Sequence, residues 1–328
     1  VNTLNVSASS SLAPFRLRPT FSERPWGRRN LSPWYTSQQT GETKEPIGEA
    51  WLTGPQATAE TGTLAGKSLA QIAEEYTESL LGEWREEGEF PLLLKLLFPD
   101  DKLSVQVHPD DVQAHAIGQR RGKTECWYTL AAKPGATVAC GLKPGVTAEQ
   151  IRASVADNSM EQLLNHIELH VGDMVFVDAG TVHAIGPGLT LLETQQTSDI
   201  TYRMYDYGRP RELHLEQGIN VTRTQTAAGP VKPELLSLKE TQAQGTRLIQ
   251  QRYFTVDRFD IPSGTSLPLD DAAGKPHCIV ALSGSASLRD LAGNTVELLP
   301  GTATVIPAST VSYTINAGTD FACVRSMP

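Results

Sequence analysis

The sequence predicts a mainly β protein, folded as β-sandwich or barrel units with a small helical insertion. Three observations carry that reading. Short runs rich in β-branched and aromatic residues recur along the chain. Gly and Pro punctuate them, as at Lys133-Pro134-Gly135, Lys143-Pro144-Gly145 and Gly186-Pro187-Gly188. Helical periodicity is confined to a few stretches, and no glycine-rich strand-to-helix phosphate loop marks a βαβ unit.

At 328 residues the chain is long enough for roughly two domains of about 150 residues each. With 39% hydrophobic residues it can bury a core that needs neither disulfide nor metal to hold it together. Lys and Arg number 28 against 37 Asp and Glu, a net charge of -9, which argues against nucleic-acid and membrane-surface partners. The most apolar run, Phe90 to Pro99, is interrupted by Lys95 and falls far short of the ~20 residues of a membrane span. The four cysteines, Cys126, Cys140, Cys278 and Cys323, form no C-x-x-C pair, so a reduced, cytoplasmic protein is expected. Residues 1–14 lack the basic start and long apolar core of a signal peptide and read as a loose leader.

Taken in order, Leu69, Ile72, Tyr76 and Leu80 recur at helical spacing and predict an amphipathic helix from Ser68 to Trp84. Strands are expected over Lys102–Val107 and Thr124–Leu130. Thr147 and Gln150 form a capping box that starts a second helix running to about Ala156, with a short helical partner over Ser159–His166. Strands follow over Met174–Val177 and Thr190–Gln195. The stretch Gly229–Gln244, with Pro230 and Pro233, reads as a linker, and Leu248–Met327 as almost pure strand and turn. The expected organisation is a first unit over 15–228 and a linker with a second unit over 229–328. One internal repeat supports two related units: Gly172 to His183 and Gly301 to Ser312 share an apolar strand, a tight turn and a Thr-Val pair, with Ser312 standing where the first copy has His183.

Ser104-Val105-Gln106-Val107-His108 alternates polar and apolar residues, so a strand here projects Ser104, Gln106 and His108 to one face. Alone, that reads as a polar outer face ending at the Pro109-Asp110 turn. Lys123-Thr124-Glu125 likewise places Lys123 and Glu125 together, which in most proteins is a surface ion pair. His183 follows the turn Asp178-Ala179-Gly180. In combination, two imidazoles and a carboxylate, with Gln106 as an oxygen donor, suit a borderline divalent ion such as zinc and leave room for water or substrate. His115, His166, His170, His214 and His277 are scattered and read as structural or solvent-facing. Arg203 lies among Tyr202, Tyr205 and Tyr207, where an unpartnered guanidinium would be costly to bury, so it is expected to face a carboxylate or a ligand phosphate.

These residues together resemble the type I mannose-6-phosphate isomerases, the phosphomannose isomerase family of the cupin superfamily, in its short bacterial form. The resemblance rests on Arg24-Pro-Trp-Gly27, Ile47-Gly-Glu-Ala-Trp51, Phe90-Pro-Leu-Leu-Leu-Lys95, Leu103 to Asp110, Lys123-Thr-Glu125, His183-Ala-Ile-Gly186 and Ser198 to Arg203, all in family order. It implies two cupin-like jelly-roll units. It also implies one zinc ion per chain held by His108, Glu125 and His183, with Gln106 completing the site, and a catalytic arginine at Arg203. The second unit is implied to be a degenerate, metal-free cupin. Thr124 stands where many members have Pro, and Asp178 where the general cupin pattern has Pro; neither change removes a functional group.

The implied reaction interconverts mannose 6-phosphate and fructose 6-phosphate through an enediol, which requires a tuned base and stabilisation of an enediolate. Glu193 and Lys123 are the candidates for the base. Lys95, Arg209 and the Ser104 hydroxyl are candidates for holding the phosphate. Two rival readings are another metal-dependent cupin enzyme, such as an iron dioxygenase, and a sugar-phosphate-binding cupin without turnover. Oxygen consumption with metal analysis separates the first, and a turnover assay the second.

Overall fold

The computed structural model describes residues 12–239 and 241–328. Most of the leader expected at 1–14 lies outside the described residues, and Leu12 is buried in the main core. The chain folds into four open antiparallel sheets, of eight, seven, five and four strands, so the mainly β expectation holds.

The first unit is a seven-stranded sheet facing a five-stranded one. In the larger sheet, Leu92–Leu97 pairs with Leu189–Gln196, which pairs with Glu125–Ala132, which pairs with Met174–Val177. In the smaller sheet, Val105–Val107 lies between Tyr202–Tyr205 and His183–Ile185, with Thr137–Leu142 and Leu164–Glu168 beyond. Leu97, Trp127, Val175 and Leu191 pack across the sandwich against Val138, Cys140 and Ile185. The opposite face of the larger sheet, with Leu92, Leu94, Leu96, Tyr128 and Leu192, is also buried, against the helices and the second unit. Burial on both faces explains why Leu92–Leu97 reads as a nearly continuous apolar run with no alternation. Lys95 inside that run is 3% exposed and points into the sandwich.

The second unit joins the eight-stranded sheet to the four-stranded one. The two units are stitched in both directions. Phe15–Arg18 pairs with Ala303–Ile306 of the second unit, and Gly229–Val231 pairs back on Met174–Val177 of the first. The stretch read as a linker therefore contains two strands, Gly229–Val231 and Glu234–Leu236, whose backbone groups are satisfied by neighbouring sheets. Thr194 and Ser326 share a buried hydrogen bond of 3.2 Å between the units.

The repeat is visible in three dimensions. Met174–Val177 and Ala303–Ile306 are matching strands. Each is followed by a turn closed through one backbone bond, Thr181 N–H to the Asp178 carbonyl in the first copy and Thr310 N–H to the Pro307 carbonyl in the second. Strands His183–Ile185 and Tyr313–Ala317 follow. Where the first sandwich points histidines inward, the second points Arg325, forked between Asp257 and Asp271, and His277, bonded to the Tyr313 hydroxyl at 3.2 Å.

The helix from Thr147 forms as expected over Ala148–Ala156, with its capping box present. Two helical expectations need correction. The stretch 68–84 is two helices, Leu69–Glu75 and Thr77–Leu81, followed by a 3-10 turn, with Tyr76 at φ -122° and ψ 36° between them. The break lets both Leu69/Ile72/Ala73 and Leu80/Leu81 reach the core, which one straight helix of this sequence would not. In 159–166, only Met160–Leu163 is helical, as a 3-10 turn, because Leu164–Glu168 is taken up as a strand by pairing with Thr137–Leu142.

Candidate active site

Strand alternation and register bring the functional side chains together. Glu125 and Trp127 project to the interior face of the larger sheet, as do Glu193 and Lys95. Glu193 is the register partner of both Lys95 and Trp127, and Gln195 that of Glu125. From the facing sheet, Gln106 sits opposite both His183 and Arg203. One polar cluster results at one end of the sandwich, above the apolar layer of Trp127, Leu97 and Leu191.

At its heart His108, Glu125 and His183 place one donor atom each within 4.8 Å of one another, and all three are buried. His108 Nε2 lies 3.5 Å from Glu125 Oε2, and His183 Nε2 lies 3.4 Å from Glu125 Oε1. Both rings are oriented from behind, since Nδ1 of His108 faces the Ile200 carbonyl and Nδ1 of His183 the Thr181 carbonyl, each at 2.9 Å. A ring that donates from Nδ1 leaves Nε2 as a lone-pair donor, the arrangement of a metal-ligating imidazole. His108 Nε2 and both Glu125 oxygens have no aligned hydrogen-bond partner, although all are buried. The Lys123 ammonium stands near one of them, 3.2 Å from Glu125 Oε2. Buried polar atoms left in this state are costly, and three converging on one point fit a divalent ion. Gln106 is beside them, its Nε2 3.2 Å from His183 Nε2; an amide flip would present its oxygen instead.

Burial holds the imidazoles neutral: His183 is pushed down to about 4, and His108 well below its usual 6.5, with the Lys123 charge acting in the same direction on both. Neutral rings are ready ligands. A folded-state value for His183 below the unfolded value of about 6.5 means that the unfolded chain binds more protons in acid. The contribution to stability is therefore complete above about 6.5 and is lost as pH falls from there towards 4. Metal-free protein should show a melting temperature that falls across this window and is flat from pH 7 to 8. A flat profile down to pH 4.5 would contradict it.

A cavity of about 460 Å³ opens beside the cluster, lined by Lys95, Ser104, Gln106, Lys123, Glu193 and Arg203 among others. Lys123 Nζ is 3.2 Å from Glu125 Oε2 and Lys95 Nζ is 3.6 Å from Glu193 Oε1. Lys95 also stands over the Trp51 ring at 4.5 Å and reaches Asp199 at 4.0 Å. Burial alone would lower Lys123, but Glu125, Glu193 and Asp199 outweigh it and hold the ammonium charged. Glu193 is also raised, by burial and by the neighbouring Glu125 despite both lysines. Its Oε2 accepts from Trp127 Nε1 at 3.1 Å, which fixes the carboxyl in place.

The structure places Arg209 outside this lining. It is held by Asp206 and the Lys102 carbonyl and stacks 5.5 Å from the Tyr207 ring. Arg211 takes the cavity position instead, anchored through Nε and Nη2 to the buried Asp206 carboxylate at 2.6 and 2.7 Å. Arg24 and Glu49 also line the cavity and bond each other at 3.0 Å. Both fall inside the motifs Arg24-Pro-Trp-Gly27 and Ile47-Gly-Glu-Ala-Trp51, the signal by which they could have been found.

Two stacked β-sandwiches, one of them carrying an inward-facing His-Glu-His cluster, define a two-unit cupin protein with one mouth suited to a metal. Residues 14–142 match the catalytic domain of type I phosphomannose isomerase. The chain is 36% identical to the mannose-6-phosphate isomerase ManA of Bacillus subtilis over 272 residues, covering 77% of this chain and 81% of that protein. It is 35% identical to the mannose-6-phosphate isomerase of Streptococcus mutans, with coverage of 77% and 81%. The crystal structure of a mannose 6-phosphate isomerase from Bacillus subtilis superposes with a TM-score of 0.83 at 30% identity, covering 96% of this chain and 99% of that one. The chain belongs to the type I phosphomannose isomerase family.

Proposed function

We propose that this protein interconverts mannose 6-phosphate and fructose 6-phosphate, using one zinc ion per chain held by His108, Glu125 and His183 and completed by Gln106. The observation that carries the reading is the convergence of buried donor atoms of His108, Glu125 and His183, with His108 Nε2 and both Glu125 oxygens lacking an aligned hydrogen-bond partner, beside a cavity lined by Arg24, Arg203 and Arg211 in a chain of this family. A divalent ion held there would supply Lewis-acid polarisation of the open-chain carbonyl. The four cysteines are free and buried, and among the described residues no helix is long and apolar enough to cross a membrane; both accord with a cytoplasmic enzyme.

In the reaction a proton leaves C2 and arrives at C1, and a second proton passes between O2 and O1. Glu193 is the base best suited to the carbon proton, because burial and Glu125 raise it towards the range where a carboxyl both takes and returns a proton. Lys123, kept charged by its carboxylate neighbours, serves better as the cation beside the enediolate oxygens than as a base. Lys95 is bound up with Glu193 deep in the cavity, and the Ser104 hydroxyl is 3.4 Å from Gln106, so both act near the reacting end.

The phosphate then falls to Arg211 and Arg24, which line the same cavity as Arg203. Their charges are close enough to oppose that of Arg203, which burial and Arg211 both push down. Arginines crowded in this way are relieved by a dianion. Arg211→Ala should raise KM for mannose 6-phosphate by about tenfold or more, the effect of one lost charge-assisted bond, and leave kcat within about threefold. A kcat loss with unchanged KM would place Arg211 elsewhere in the mechanism. The activity itself is tested by a coupled isomerase assay before and after chelation, with zinc added back; absence of turnover in the zinc-loaded protein refutes the proposal.

A further inference from the structure

Lys123, in the cavity lining, and Glu125, in the His-Glu-His cluster beside it, stand at the end of a loop that begins at His108. Asp110 caps the helix Asp111–Ala116 through a capping box with Gln113. The chain then returns so closely that a Cβ on Gly122 would meet the backbone of Pro109 and Asp110. Lys123 N–H donates to the Pro109 carbonyl at 3.0 Å. The Asp111 carboxylate closes the loop: Oδ1 accepts from Gly122 N–H at 2.9 Å and from Gln196 Nε2 at 3.0 Å. Gln196 Oε1 in turn accepts from Thr124 N–H at 3.0 Å. One carboxylate thus fixes the backbone on both sides of Lys123 and just before Glu125.

The other oxygen of Asp111 is held from outside the first unit. Oδ2 accepts from the hydroxyl of Tyr253, at 2.7 Å, and Tyr253 lies in the turn between the strands Gln244–Gln250 and Thr255–Ile261 of the second unit. The Arg252 guanidinium stacks 5.1 Å from the Tyr253 ring and keeps it facing the loop. Tyr253 is absent from the cavity lining.

We propose that Tyr253 is a positioning residue for the isomerase site, acting through Asp111, Gly122 and Gln196 on the placement of Lys123 and Glu125. The second sandwich thereby takes part in the reaction without contacting substrate. The proposal rests on the isomerase reading for its kinetic arm and on the His-Glu-His cluster alone for its metal arm.

Tyr253→Phe keeps the ring and its packing and removes the hydroxyl. In the full-length protein kcat for mannose 6-phosphate should fall about five- to tenfold, the effect of one lost hydrogen bond to a charged group, with KM changed less than about twofold. The cobalt(II) dissociation constant, read in competition with a chromophoric chelator, should rise about tenfold, as for loss of a residue supporting a metal ligand. Combining Tyr253→Phe with Asp111→Ala should cost no more than Asp111→Ala alone. A fall in kcat or in cobalt affinity at constant KM supports the proposal. Both staying within about twofold of wild type overturns it, whatever the melting temperature does, because a purely structural contact moves stability alone. If the wild type shows no isomerase activity, the functional reading fails and the cobalt measurement still decides the role of Tyr253.

Discussion

His183→Ala should lose its metal and with it nearly all turnover. His183 is one of the proposed metal donors, its ring locked by the Thr181 carbonyl at 2.9 Å and its Nε2 aimed at Glu125 Oε1. With alanine, the proposed site keeps one imidazole, His108, and one carboxylate, Glu125, beside the neutral amide of Gln106, which loses the partner that faces it across the strand pair. That set is a weak zinc site, so zinc should fall from one per chain to a small fraction after dialysis against a weak chelator. Turnover should drop at least about a thousandfold, since metal polarisation and oriented charge stabilisation are lost together. The ring is fully buried, 5.5 Å from Trp127 and 4.8 Å from His108, so the cavity it leaves also costs stability, about 2–3 kcal/mol by the usual scale for large-to-small changes. His183→Gln, which keeps most of the volume, separates the two effects: it should fold near wild type and still lose activity. Stoichiometric zinc at full affinity in either variant would remove His183 from the ligand set.

Much of this site was legible because strand alternation is a strict rule. Alternation predicts a shared face for Gln106 and His108 and for Lys123 and Glu125, and the structure keeps each pair together although His108 and Lys123 lie just outside the strands Val105–Val107 and Glu125–Ala132. The strand Met174–Val177 and the helix start at Thr147 follow from equally local signals. What stayed hidden depended on contacts distant in sequence. Lys95 looked like an interruption in an apolar run, because a strand buried on both faces shows no alternation, and only pairing with Glu193 reveals its inward direction. Arg209 and Arg211 are indistinguishable in the sequence. Tyr207 and Gly208 both take left-handed φ values, 55° and 79°, and that turn decides which arginine faces the cavity. The helix Asp111–Ala116 carries the same capping grammar as the one at Thr147, yet it spans a turn and a half and its neighbouring Val112 and Ile117 face solvent, so it shows no amphipathic stripe.

Arg203→Lys should cut kcat at least about a hundredfold, the ~2.7 kcal/mol of one oriented charge-stabilising donor, while zinc content and melting temperature stay near wild type. Arg203 lies on the strand Tyr202–Tyr205 directly opposite Gln106, so its guanidinium enters the cavity from the strand next to the proposed metal site. Its Nη1 donates to the Glu212 carbonyl at 2.9 Å, which anchors one edge of the fork. Its Nε is buried without a partner, a donor held in place for something the protein itself does not supply. Burial and the neighbouring Arg211 already lower its pKa, so the site holds a cation under strain that developing negative charge would relieve. Lysine keeps the charge but offers a single point on a flexible stem, and it cannot bond the Glu212 carbonyl and reach the reacting oxygens together. If Arg203 acted only on the phosphate, the lysine variant would lose mainly KM and keep most of its kcat, like Arg211→Ala. Near-wild-type kcat with intact zinc would therefore move Arg203 to substrate binding. Loss of folding would make it a structural arginine, an outcome its partly exposed side chain and single backbone bond argue against.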